Sequence, residues 1–254
     1  MATLQSLLRS TAVVRAIAIA ISFTAPLAVF STSGFAQSPK RARSVLTYVP
    51  PNRGTPTRGI RGAGSRGCSI PPSAAKYNAS KLVQLTLLVP SDHVGQTVSS
   101  HPSFYWHVSA VPSVPMEFSL VQPGVAMPLL VKQVTVTKPG VVELTLPPNH
   151  PGLKVGSRYR WSVALVCNSD RRSNDVFAQS WIERVATTPE GVTQASNATP
   201  AQQAELYAKA GLWYDALKSV AVADTANPPL IALNDDFQAL LEQSGLADAN
   251  GQVK

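Results

Sequence analysis

The sequence predicts a mainly β protein, with a β-sandwich followed by a small C-terminal bundle of about three helices. Three observations point to this fold class. Short apolar runs between residues 82 and 185 alternate with turns rich in Pro and Gly. No stretch of helical periodicity separates these runs, which disfavours a parallel βαβ architecture. After residue 199, helix-start signals and a 3.6-residue apolar period replace the alternation.

The first 36 residues carry the pattern of a secretory signal peptide. Arg9 and Arg15 precede an apolar run over residues 16–30, and small residues end the segment at Ala36. A basic start, an apolar middle and a small-residue end define such peptides. We therefore expect cleavage after Ala36, a secreted or periplasmic location, and no transmembrane segment afterwards. An uncleaved anchor is the alternative, but a spanning helix needs about 20 apolar residues and this run contains Pro26.

Residues 37–67 form a basic leader rich in Pro, Gly and Arg. The chain has a formal net charge of +8, and no acidic residue precedes Asp92. Such a composition cannot offset the entropy of ordering, so we expect the leader to be disordered. It is either a solvated spacer or an arm towards an anionic surface, and its exported location disfavours nucleic acid. From Cys68 onward, 13 basic and 14 acidic residues leave the body near neutrality.

Seven strands are expected in the β body, each ending near a turn signal. The expected strands are residues 82–89, 104–108, 116–121, 129–137, 141–146, 159–167 and 181–185. Their number and spacing are typical of a sandwich.

Residues 153–159 resemble a tyrosine corner, in which a Leu enters the core and a Tyr hydroxyl bonds to upstream backbone. Leu153 and Tyr159 occupy those positions, Trp161 and Val163 then alternate along the strand, and Trp106 fits a core tryptophan. On these residues the β part resembles fibronectin type III and related domains, which implies an immunoglobulin-like β-sandwich.

Cys68 and Cys167 are the two cysteines of the chain. An even count in an exported protein predicts one disulfide. Closing a loop of this length contributes roughly 4–5 kcal/mol in the loop-entropy model. A buried thiol or a catalytic cysteine is the alternative, and a nucleophilic cysteine would need a basic partner that the sequence near Cys167 lacks.

Helical signals begin at Thr199, where Thr199, Pro200 and Gln202 form a capping box with Pro at the first helical position. The small and aromatic residues that follow are similar in order to one tetratricopeptide repeat. A last helix is expected between the cap Asn234 and Gly245. The expected division is residues 1–36 signal peptide, 37–67 leader, 68–187 sandwich, 188–198 linker, 199–247 helical tail and 248–254 disordered C-terminus.

One repeat cannot bury both of its faces alone. The helices are therefore expected to pack on the β body, because short helices need tertiary support. In the alternative, Trp213 and Tyr214 form an exposed docking pair for a partner, a role in which aromatic residues are favoured.

Motifs distributed along the chain resemble one uncharacterised family of secreted cyanobacterial proteins, the domain of unknown function 928. The motifs are Cys68, Gly95-Gln96-Thr97-Val98, Pro102-Ser103-Phe104-Tyr105-Trp106, Tyr159-x-Trp161, Cys167, Ile182-x-Arg184, Tyr207 and Gly211-Leu212-Trp213-Tyr214-Asp215-Ala216. The resemblance covers about residues 60–247 of this sequence. It implies a cell-envelope protein with no assigned activity, so no functional residue is carried over.

No complete catalytic, metal or cofactor motif is found in the sequence. The four histidines lack metal-ligand spacing, and neither a nucleophile elbow nor a phosphate-binding glycine loop occurs. We therefore predict no catalytic residue, metal ligand or cofactor. The turn after Cys167, with Asp170, Arg171 and Arg172, is the favoured recognition loop because loops on rigid scaffolds often carry binding residues.

The favoured function is a non-catalytic secreted or periplasmic binding module of the cell envelope, with an unknown protein or envelope partner. Two alternatives stay open: an envelope-polymer hydrolase with its site at the β–helix junction, and a periplasmic chaperone or sensor domain. Catalysis predicts a deep pocket lined by converging titratable groups. Binding predicts an exposed apolar or aromatic patch.

Overall fold

A computed structural model of the chain describes residues 46–51, 61–62, 83–187, 194–223, 228–232, 234–247 and 253. The described part is mainly β and contains two sheets, with its long helices near the C-terminus. In chain order the strands are β1 (Arg61–Gly62), β2 (Leu85–Leu87), β3 (Gly95–Thr97), β4 (Ser103–Val108), β5 (Met116–Val121), β6 (Leu130–Val134), β7 (Gly140–Thr145), β8 (Arg158–Leu165), β9 (Val176–Arg184), β10 (Val222–Ala223) and β11 (Leu230–Ala232).

The first sheet has the order β1-β9-β8-β5-β6, and the second has the order β10-β11-β7-β4-β2. All neighbours pair antiparallel except β3, which lies parallel to β9. Strands β5 and β8 alternate between buried and more exposed residues. This period of two is what a strand with one face on a core requires.

Aromatic side chains from both sheets meet in one core. The ring of Phe104 on β4 lies 5.0 Å from that of Phe118 on β5 and 5.1 Å from that of Trp161 on β8, centroid to centroid. All three side chains are fully buried. Tilted aromatic pairs at such distances are favourable beyond the area that they bury. The tyrosine corner expected at Tyr159 has its hydrogen bond, because the hydroxyl accepts from the Lys154 amide at 2.9 Å.

Three helices in the C-terminal part pack on one another and against the sheets, and the middle helix contacts β3 and β4. They are α1 (Pro200–Lys209), α2 (Trp213–Val220) and α3 (Asp235–Gln243). The predicted caps are confirmed: Thr199 forms a capping box with Gln202, and Asn234 Oδ1 accepts from the Phe237 amide at 2.8 Å. The ring of Phe237 packs edge-on against Tyr105, 5.8 Å away. Strand β4 is therefore buried on both faces.

The helical tail also contributes strands, which the sequence did not predict. Strand β11 lies between α2 and α3 and pairs with β7, matching Leu230 to Val142 and Ile231 to Val141. Leu230 and Ile231 are both buried. Among the described helices, none is long and apolar enough to cross a membrane.

Two parts of the leader are ordered, so the prediction of disorder over residues 37–67 is wrong for them. Residues 46–51 pack against the helices, with Leu46 only 4% exposed, and Arg61–Gly62 pairs with β9. Apolar burial and backbone hydrogen bonds stabilise these two segments, and amino-acid composition alone does not reveal such contacts. Val253, in the tail predicted to be disordered, forms a bridge with Ala247. Residues 1–36, predicted to be a signal peptide, lie outside the described residues.

Candidate functional site

An open cleft of about 600 Å³ lies where α1 and α2 meet the segment of residues 97–103, which joins β3 to β4. Hydroxyl, amide and ring groups dominate its lining. The lining residues used below are Thr97, Val98, Ser99, His101, Ser103, Gln203, Tyr207, Asp215, Lys218 and Ser219.

Helix α2 is held in place by two buried aromatic residues. Trp213 Nε1 donates to the Leu88 carbonyl at 2.8 Å. The Tyr214 hydroxyl accepts from Trp161 Nε1 at 2.9 Å and donates to the Trp181 carbonyl at 3.3 Å. Trp213 and Tyr214 are therefore buried, and the alternative that they form an exposed docking pair is wrong. Their apolar rings are buried and their polar atoms have protein partners, so the pair fixes one wall of the cleft.

Asp215 joins that wall to the opposite rim. One carboxylate oxygen accepts from Thr97 Oγ1 at 3.1 Å, and the other accepts from the Val98 amide at 3.0 Å. Desolvation raises the pKa of Asp215 to about 6, and its hydrogen bonds only partly oppose that rise. Sequence reasoning missed this residue. The sequence offered one indication of its role, since Asp215 is a single acidic residue among the apolar residues of a short helix.

A second polar cluster lies beside the cleft, on the outer face of the second sheet. Glu143 Oε1 accepts from Lys218 Nζ at 2.5 Å and from the Tyr105 hydroxyl at 3.0 Å. Burial alone would raise the pKa of Glu143, but the bonds from Lys218 and the neighbouring hydroxyls outweigh burial and lower it. Ser103 Oγ and Thr145 Oγ1, 2.6 Å apart, extend the cluster to the rim. The charges of Lys218 and Glu143 are thus balanced within the protein.

His101 is not arranged as a general base. Its Nε2 lies 3.1 Å from the His150 carbonyl and its Nδ1 lies 3.0 Å from Ser100 Oγ. Because a carbonyl can only accept, Nε2 donates to it, and Nδ1 pairs with the serine hydroxyl. Both ring nitrogens are therefore occupied. Among the described residues, no group of three or more His, Cys, Asp or Glu side chains could hold a metal ion.

The favoured recognition loop lies between β8 and β9, and its residues do not line the cleft. Asp170 and Arg171 are exposed. Arg172 is exposed as well, but it forms ion pairs within the protein, with Nη2 2.8 Å from Glu117 and Nε 2.5 Å from the buried carboxylate of Asp175. All three residues are therefore at the surface, and Arg172 also links the loop to Glu117 on β5.

Cys167 follows β8, and its amide donates to Asp175 Oδ1 at 3.1 Å. Cys68 lies outside the described residues, so the predicted Cys68–Cys167 disulfide stays a prediction.

Comparison with known proteins identifies one family. A family model described as Domain of Unknown Function (DUF928) matches residues 61–252. The match includes every strand and helix named above, and it begins after the packed segment of residues 46–51. No curated protein matches the chain.

Proposed function

Because this chain belongs to the DUF928 family, whose description assigns no activity, we propose its function from the cleft: a non-catalytic binding module of the cell envelope that takes a hydroxyl-rich glycan. One observation carries the proposal. The cleft is open and combines apolar surface with hydroxyl and amide groups, while Asp215 and Lys218, its charged lining residues, are hydrogen-bonded within the protein.

The lining chemistry fits a neutral, hydroxyl-rich ligand. The Ser99 hydroxyl accepts from the His101 amide and can still donate, and the Ser219 hydroxyl donates to the Asp215 carbonyl and can still accept. Gln203 offers its Oε1 as an acceptor, because its Nε2 donates to the Ala195 and Ala198 carbonyls. Tyr207 is partly exposed on the same wall and offers a ring face. Ligand sites typically combine apolar surface with a few oriented polar groups.

The location and finer architecture are part of the same proposal. The signal-peptide pattern of residues 1–36 supports secretion or a periplasmic location, and the basic leader supports contact with an anionic surface. The Tyr159–Lys154 hydrogen bond supports an immunoglobulin-like sandwich. The α1–α2 pair supports likeness to one tetratricopeptide repeat, and the sequence resemblance supports a cyanobacterial source.

Co-sedimentation with insoluble envelope glycan, such as peptidoglycan, tests the proposal. We expect the purified protein to sediment with the polymer, and Gln203→Ala and Tyr207→Ala to bind at least about ten-fold more weakly, equivalent to roughly 1.4 kcal/mol. Arg171→Ala is the matched control, because it removes an exposed side chain outside the cleft. If Arg171→Ala weakened binding and the cleft variants did not, the ligand would lie on the β8–β9 loop.

A hydrolase at the same junction is the second candidate, favoured by the raised pKa of Asp215 in the cleft wall. Glycoside hydrolysis requires two carboxyl groups in separate roles, whereas Glu143 is engaged by Lys218 and Tyr105. Release of soluble sugar by the wild type, lost in Asp215→Asn, would favour this candidate. A chaperone or sensor acting through an exposed Trp213 loses its support, because Trp213 is buried.

A further inference from the structure

Residues 46–51, here called the strap, lie in a groove that is separate from the cleft. The groove is formed by the end of α1, the start of α2, the end of α3 and the loop between β2 and β3. Leu46 is 4% exposed at one end of the strap. At the other end, Pro51 lies against Gly211.

Part of the groove binds the strap through its backbone. The Gln243 amide spans two residues: its Oε1 accepts from the Tyr48 amide at 2.9 Å, and its Nε2 donates to the Leu46 carbonyl. The Val49 amide donates to the Ala208 carbonyl at 3.0 Å. A side-chain amide that bonds the carbonyl of residue i and the amide of residue i+2 pairs with an extended peptide in the way that a neighbouring strand would.

Side-chain selection centres on Tyr48. Its ring stacks on His93 at 5.7 Å and meets Trp213 edge-on at 4.9 Å. Its hydroxyl lies 2.6 Å from His93 Nε2, and His93 Nδ1 lies 2.7 Å from Asp92 Oδ1. Since a carboxylate only accepts, Nδ1 donates to Asp92, which leaves Nε2 to pair with the tyrosine hydroxyl. This arrangement favours tyrosine over phenylalanine.

Gly211 lets the end of the strap approach closely. It has a φ of 76°, and a Cβ at this position would lie 3.1 Å from both Pro51 Cδ and the Val49 carbonyl oxygen. The groove therefore fits the shape of a Tyr-x-Pro-Pro segment. The two prolines restrict such a segment to extended conformations.

The residues that form the groove belong to other elements of the protein, and two of them have partners outside the strap. Trp213 is fixed by its bond to Leu88, His93 is oriented by Asp92, and Gln243 belongs to α3. A preformed site loses less free energy to ordering when it binds a ligand. We propose that this groove is a peptide-binding site for an extended apolar-x-Tyr-x-Pro-Pro segment of another protein, with the chain's own strap as a competing ligand in cis.

Competition with a labelled peptide tests the proposal, which is independent of the glycan cleft. The probe is a fluorescent peptide with the sequence of residues 46–51, followed by anisotropy. Tyr48→Ala in the protein weakens the tethered competitor, so we expect the peptide to bind this variant at least about ten-fold more tightly than wild type. Tyr48→Phe, which keeps the ring and loses the hydroxyl, should give an intermediate gain and covers the case in which Tyr48→Ala folds poorly.

Two matched controls establish where the peptide binds. Adding Gln243→Ala to either Tyr48 variant should abolish the gain, because Gln243 contacts only the peptide backbone in the proposed site. A peptide carrying alanine in place of its tyrosine should bind neither variant. Equal peptide binding by wild type and both Tyr48 variants, or a gain that survives Gln243→Ala, would overturn the proposal.

Discussion

The core between the two sheets and the junction between sheets and helices are stabilised by different physical effects. In the core, Phe104, Phe118 and Trp161 pack ring against ring, and the stabilisation follows from buried apolar area and dispersion. At the junction, Tyr214 and Asp215 hold the helix through hydrogen bonds to specific atoms. Side-chain volume should therefore decide stability in the core, whereas single polar atoms and pH should matter at the junction.

The largest effect is expected in the core. Phe104→Ala removes a fully buried ring and leaves a cavity, so it should lower the free energy of unfolding by about 3–5 kcal/mol. Denaturant unfolding followed by far-UV circular dichroism measures this loss. Phe177→Ala is the matched control: Phe177 is 37% exposed on β9, and its loss should cost about 0.5 kcal/mol or less. Similar losses for the two variants would contradict a core governed by burial.

The next largest effect is expected when a substitution removes one oxygen atom from the junction. Tyr214→Phe keeps the ring but leaves Trp161 Nε1, in a fully buried side chain, without its acceptor, so we expect a loss of about 1–3 kcal/mol. Thermal unfolding monitored by tryptophan fluorescence reports it. Tyr207→Phe makes the same chemical change on a partly exposed ring and should have little effect. A stability unchanged by Tyr214→Phe would mean that apolar packing alone attaches the helix.

The junction should also respond to pH through Asp215. Its folded pKa of about 6 exceeds the ordinary value of 3.8, so the folded state holds a proton that the unfolded state has already released. The resulting stabilisation is complete below about pH 4 and is lost as the pH rises through 6. The free energy of unfolding at pH 4 minus that at pH 7 should be about 2 kcal/mol smaller in Asp215→Asn than in the wild type. An identical difference in both proteins would exclude Asp215 as the source.

The smallest effect is expected for the ion pairs of Arg172, in the loop between β8 and β9. Arg172→Ala removes the ion pairs to Glu117 and Asp175 and should cost about 1 kcal/mol or less, because the arginine is 48% exposed. Arg171→Ala, its exposed neighbour, should leave denaturant unfolding unchanged. A loss much larger than the Tyr214→Phe effect would reverse the contrast between the two regions.

The sequence was informative where structure is set by local patterns. Strand β5 was predicted with the observed bounds, and the caps at Thr199 and Asn234 follow from local hydrogen-bonding chemistry. Strands β3 and β11 were missed, because three residues carry too little periodicity and their pairing depends on distant partners. Tertiary context decides such short strands.

The cleft and the strap could not be predicted for a related reason. Thr97 and Asp215 meet across 118 positions of the chain, and Tyr48 meets Gln243 across 195. Composition correctly marked the leader as poor in apolar residues, but it could not indicate that distant helices provide a site for Leu46 and Tyr48. The raised pKa of Asp215 likewise arises from burial that only the folded chain creates.

Strand β11 has a consequence for how this chain can be divided. It supplies the neighbour of β7 in the second sheet, although it lies between two helices of the C-terminal tail. A polypeptide ending at residue 187 would leave one edge of β7 without its partner at Val141 and Val142, and it would lack Phe237 beside Tyr105. Unpaired sheet edges promote association between chains. Any attempt to express or evolve the β part alone must therefore replace that lost edge, since the tail is an integral part of the sheet.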